Sequence, residues 1–142
     1  MAILQAVVKG LTKPAPKVIS PNVHGVLDYV IAATFFVGGI FMMRRNKRAG
    51  ISALACGAAE TVTSLLTDYP AGIAELVTFP THGKIDMGLA AMTATLPGFM
   101  DFEDEREKTF FTAEAVLMTV LAGLTDFGDG RGYQRAFEQE AA

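Results

Sequence analysis

The sequence predicts an all-α fold, a membrane-embedded four-helix bundle built from a tandem two-helix repeat. Three observations predict it. Residues 20–72 align without a gap on residues 78–130 at an offset of 58, with 15 identities in 53 positions. Four apolar segments of helical length are separated by polar turns, and none alternates with the period of a strand. Half of the residues are apolar (51%) and only 19% are charged, and those charges gather in the turns. A two-helix unit used twice accounts for all three.

Taken in order, residues 1–19 form an N-terminal tail, and MAILQAVVKGLT at its start is suited to a short interfacial helix. The first copy, 20–72, opens with His24-Gly25 and Asp28, and its first apolar segment runs from about Val23 to Met43. No charge occurs from Tyr29 to Met43. The turn Arg44–Arg48 follows, then a second segment from about Gly50 to Thr67, interrupted by Glu60. The second copy, 78–130, repeats the scheme with segments from about Gly83 to Met100 and Phe110 to Thr125. The acidic turn DFEDEREK stands between them and reads as a solvated loop. Pro21, Pro70 and Pro80 fall between segments, where they break no helix. Residues 131–142 form a polar C-terminal tail.

A soluble amphipathic helix shows a charged face at every turn or so, and the first segment shows none. Small residues, among them Gly38, Gly39, Ala53, Gly57, Ala90 and Ala91, suit close helix contact in lipid. The expected location is therefore a cell inner membrane crossed four times, with the lipid bilayer, other membrane subunits or a second copy of the chain as partners. A net charge of −3 without a basic face excludes nucleic acid. The single Cys56 can form no intramolecular disulfide.

The segments SPNVHGVLDY, PTHGKIDMGL and LLTDYPAGI, with LPGF at 96–99, resemble the SPW-repeat family of small bacterial membrane proteins. The resemblance spans about residues 18–128. Of the family's Ser-Pro-Trp signature only Pro97 stands in the second copy. Gly38–Gly39 take its place in the first, and tryptophan is absent. The resemblance implies four membrane spans and no particular activity.

Two helices separate the charged turns, so both must lie at one end of the bundle. Lys and Arg divide equally between the ends. Arg44, Arg45, Lys47 and Arg48 form the densest cluster, which places that end in the cytoplasm and both termini outside.

The candidate chemistry lies at the other end. His24 and Asp28 are four residues apart and share a helical face, as do His82 and Asp86. Asp68 and Asp126, closing the even helices, fall at the same level as supporting acids. Imidazoles backed by carboxylates suit a metal ion, and two symmetry-related histidines suit a haem iron. Gly25 and Gly83 would admit a macrocycle or a close helix. The plainer alternative is a structural clasp in which the repeated Thr-Asp binds back to the histidines. Glu60 sits deep in its segment, with Gly57, Thr61, Ser64 and Asp68 on the same face, and is a candidate proton-coupled acid. Glu114 lies nearer the charged turn and reads as interfacial.

No nucleophile set is evident, which argues against an enzyme. The readings left are a structural or accessory membrane subunit without a cofactor, a haem- or metal-binding protein using His24 and His82, and a small proton-coupled transporter using Glu60.

Overall fold

The structure is a computed structural model, and it describes residues 16–128. The expected helix at 1–12 and the polar tail at 131–142 lie outside the described residues. Four helices follow one another: α1 (Pro21–Met43), α2 (Lys47–Leu65), α3 (Phe79–Phe99) and α4 (Glu105–Leu124). Among the described residues there is no strand, only two isolated parallel bridges, Ile19 with Thr125 and Thr67 with Val77.

The helices begin two to five residues earlier than the apolar runs suggest, because capping residues precede them. Ser20 accepts the Val23 N–H at the start of α1, and Thr78 accepts the Thr81 N–H at the start of α3. Pro21 and Pro80 sit in those first turns, where no intrahelical N–H is needed. Asn46 caps α2 through the Arg48 and Ala49 N–H groups, and Asp104 caps α4 through the Arg106 N–H. The acidic segment is therefore not all loop. Glu105 and Glu107 occupy the first turn of α4, where the helix dipole favours them, and Glu107 is buried. Pro97 lies inside α3, close to its end.

Helix α1 packs chiefly on α2, and α3 on α4, forming two hairpins that meet through α2–α3 and α1–α4 contacts. Glycine permits the close approach of α1 and α2. A Cβ on Gly39 would stand 2.9 Å from Leu54 Cγ and 3.0 Å from the Gly50 carbonyl oxygen.

At one end, the two charged turns come together. Arg45 donates to Asp104 at 2.6 Å, and Asn46 donates to Glu107 at 2.7 Å. The other end is tied by extended segments. The Val18 and Ile19 N–H groups donate to the Leu124 carbonyl, and the Leu76 and Val77 N–H groups donate to that of Leu66. These ties hold the last residue after each even helix against the first turn of an odd one, which sets the site.

The interior is of two kinds. An apolar cluster of Ile31, Phe35, Ala53, Cys56, Phe111 and Met118, with others, fills the middle and the charged-turn side. Above it lie buried polar groups, among them His24, Asp28, Glu60, His82 and Asp86. Large apolar side chains, by contrast, face outward along the helices: Val26, Val30, Val37 and Ile40 on α1, Ile51 and Val62 on α2, Val116 and Val120 on α4. Among the described residues one helix alone, Pro21–Met43, is long and apolar enough by itself to cross a membrane, with a mean hydropathy of 1.9. The others are diluted by acids and hydroxyls, several of which in α2 are turned inward.

Candidate metal centre

His24 and Asp28 come from the first two turns of α1, and His82 and Asp86 from the equivalent turns of α3. One helical turn separates each His from its Asp, so both side chains of a pair point the same way. The two helices face one another, and the four residues form one fully enclosed cluster. The two Nε2 atoms stand 3.2 Å apart. His24 Nε2 lies 3.3 Å from Asp28 Oδ1 and 3.1 Å from Asp86 Oδ2. His82 Nε2 lies 3.1 Å from Asp28 Oδ2 and 3.0 Å from Asp86 Oδ2.

Hydrogen bonds outside the cluster decide the tautomers. The Thr125 hydroxyl donates its proton to the Leu121 carbonyl at 2.7 Å. It can therefore only accept from His24 Nδ1, 2.8 Å away. The Thr67 hydroxyl likewise donates to the Thr63 carbonyl and accepts from His82 Nδ1 at 2.8 Å. Both imidazoles thus carry a proton on Nδ1 and, when neutral, turn a lone pair on Nε2 toward the centre. Two imidazole lone pairs and two carboxylates then face one another, with no donor among the four. Asp28 Oδ1 and Asp86 Oδ1 are buried with no hydrogen-bond partner. Such a centre needs a cation, supplied either as protons on Nε2 or as a metal ion.

The two halves differ around this core. Asp28 Oδ2 accepts from Tyr69 Oη at 3.2 Å and from Ser64 Oγ at 3.5 Å. The residues 58 positions beyond Tyr69 and Ser64 are Phe127 and Ala122, which offer Asp86 no hydroxyl. Burial above all, with the Asp28 carboxylate adding to it, pushes the Tyr69 phenol above its ordinary value and keeps it a donor. Rings close the site from outside. Phe79 stacks on His82 at 6.0 Å and meets His24 edge-on at 5.5 Å, and Phe127 meets His24 edge-on at 5.1 Å. Gly25 and Gly83 are where these covers approach. A Cβ on Gly25 would stand 2.7 Å from Tyr69, and one on Gly83 2.8 Å from Phe127. Protein rings fill the space in which the sequence allowed for a macrocycle.

The expected supporting acids do not take part. Asp68 and Asp126 are exposed, and Asp126 accepts the Gly128 N–H at 3.0 Å rather than a bond from either imidazole. Thr67 and Thr125, one residue earlier, reach the histidines instead. The identity of both threonines at the repeat offset was the signal for them. Tyr69, Phe79 and Ser64 carried no comparable signal. Glu60 is 2% exposed, one turn from Ser64 on α2, and Gly57 and Ser64 share its buried face while Asp68 does not. Glu114 is also buried, contrary to the interfacial place its position suggested.

Comparison with family models, curated proteins and solved structures returns no match for this chain.

Proposed function

We propose that this is a membrane-embedded metal-binding protein in which His24, Asp28, His82 and Asp86 hold one transition-metal ion. The arrangement of the four ligand atoms carries the reading. Nitrogen and oxygen ligands about 2.0–2.1 Å from a tetrahedral ion stand about 3.3 Å from one another. The nitrogen–nitrogen and nitrogen–oxygen separations of 3.0–3.3 Å are close to that figure, and one ligand atom from each of the four residues lies within 4.8 Å of the others. Two imidazoles and two carboxylates, with no sulfur, suit Zn²⁺, Fe²⁺ or Mn²⁺, whereas Mg²⁺ and Ca²⁺ prefer six or more oxygens. The Thr–His bonds are the outer contacts that orient metal-bound imidazoles.

Haem fits less well. Axial nitrogens on opposite faces of an iron porphyrin stand about 4 Å apart with the ring between them. Here two carboxylates lie where the ring would pass.

The membrane reading rests on the outward valines and isoleucines together with the inward acids, an arrangement opposite to that of a soluble bundle. The tandem repeat is supported by features recurring at the offset of 58: caps Ser20 and Thr78, helix starts Pro21 and Phe79, and the two Thr–His pairs. The four-span architecture is also what the SPW-repeat resemblance implies. In this reading the Arg44–Arg48 turn faces the cytoplasm, and the metal lies near the outer surface.

Elemental analysis of protein purified in mild detergent tests the assignment. One transition-metal ion per chain, lost on replacing both His24 and His82 by Ala, is the expected result. Metal-free protein that keeps its fold would leave the clasp, and with it a structural or accessory subunit.

A further inference from the structure

Two buried acids are not used by the centre just described. Glu60 is 2% exposed and Glu114 is 7% exposed. Each has a carboxylate oxygen, Oε2, sealed from solvent with no hydrogen-bond partner. A structural buried acid would place both oxygens on neighbours, since an unpaired one costs about 1–3 kcal/mol. Neither acid belongs to the repeated scheme. Their equivalents in the other half are Met118 and Cys56, so neither is needed to build a helix pair.

Their positions form a line. Glu60 lies four residues before Ser64, which touches Asp28, and so stands about 6 Å below the centre along α2. It feels the charges of Asp28, Asp86 and His82 on one side and of Glu114 on the other. Glu114 lies seven residues from Glu107, two turns along the same face of α4, and Glu107 opens on the charged-turn end beside Asn46. Fully buried Phe111 stands between those two glutamates and packs against Phe102 and Phe35. Tyr69, Phe79 and Phe127 close the other end. Buried acids thus recur from the four-ligand centre through Glu60 and Glu114 to Glu107, set within the packed apolar core and with aromatic rings at both ends.

We propose that the bundle carries a divalent transition-metal cation between its two ends, with Glu60 and Glu114 as the steps between the centre and the charged turns. This rests on the metal-site reading. An intramembrane carboxylate oxygen facing neither lipid nor a partner marks an ion path by its chemistry, because a passing cation is the partner it lacks. Buried Phe111 and the rings over the centre would have to move for an ion to pass.

The test uses full-length protein in liposomes with an entrapped metal-responsive dye, with Zn²⁺, Fe²⁺ or Mn²⁺ added outside. The wild type is expected to pass one of these ions above the rate of protein-free vesicles. Glu60→Gln and Glu114→Gln are expected to slow that flux about tenfold or more. Their bound metal, measured in detergent, should stay at one per chain. Glu60→Asp should recover part of the flux, separating lost chemistry from lost folding. Wild-type protein that binds one ion but passes none would overturn the carrier and leave the site standing. So would Gln variants that pass metal at the wild-type rate, or a flux of protons alone. Loss of bound metal in folded Glu60→Gln would make Glu60 a ligand and also overturn the path. Wild-type protein that binds no metal would end both readings.

Discussion

His24 Nε2 and His82 Nε2 stand 3.2 Å apart, although 58 residues separate them. Each imidazole is turned to that position by a threonine from the hairpin opposite its own: Thr125 for His24, Thr67 for His82. In the proposed reading the clasp and the metal site are one structure: the clasp sets both tautomers, and the lone pairs it leaves would face the ion.

Metal should stabilise the fold. A ligand at about 1,000 times its dissociation constant adds about 4 kcal/mol. Stripping the ion with a membrane-permeant chelator should lower the melting temperature in detergent, and re-adding it should restore the value. An unchanged melting curve, with metal shown to have left, would count against the centre.

Thr67→Val and Thr125→Val remove the acceptors that hold the Nδ1 protons. Each should weaken metal binding about 10–100-fold, the usual effect of losing an outer-shell partner. Competition against a chromophoric chelator measures this. Exposed Asp68, the neighbour of Thr67, serves as the control: Asp68→Asn should leave affinity unchanged.

Tyr69→Phe takes a donor from Asp28 that the second half never supplies to Asp86. Because Asp28 Oδ2 keeps its contact with His82, the expected cost is about 1 kcal/mol. Thermal unfolding of the metal-free protein reads it.

Gly83→Ala should destabilise by about 1–3 kcal/mol, since its methyl would meet the Phe127 ring at 2.8 Å. Gly88→Ala on the same helix meets nothing within 4 Å and should stabilise by up to about 1 kcal/mol. Opposite signs at two glycines of α3 would verify the tight cover over the site. Equal effects would not fit it.

Val30 and Val37 are half exposed on α1. If lipid covers them, Val30→Arg or Val37→Arg should cost about 2.5–3.5 kcal/mol toward insertion. Membrane-fraction yield and carbonate extraction measure the loss. On a water-facing helix the same changes would be nearly silent.

Much of this architecture is legible in the chain. Fifteen identities at one offset pair the residues of the two halves, and helical periodicity puts Asp28 on the face of His24 and Asp86 on that of His82. Local chemistry also marks the turns. The apolar runs place the helix starts too late because Asn46 and Asp104, inside charged runs, are caps that draw the following charged residues into the first turn.

Only the tertiary structure decided which neighbours reach the centre. Thr67 and Asp68 are adjacent and both recur, but after α2 ends they point in different directions, and the bridge between Thr67 and Val77 turns the threonine inward. Glu114 looks interfacial from its distance to the acidic turn, and packing against the opposite hairpin buries it. Spacing along a helix is a local property set by backbone geometry. Which stripe of that helix meets a partner 58 residues away is set by close packing between hairpins, and that information is distributed over every side chain at the contact.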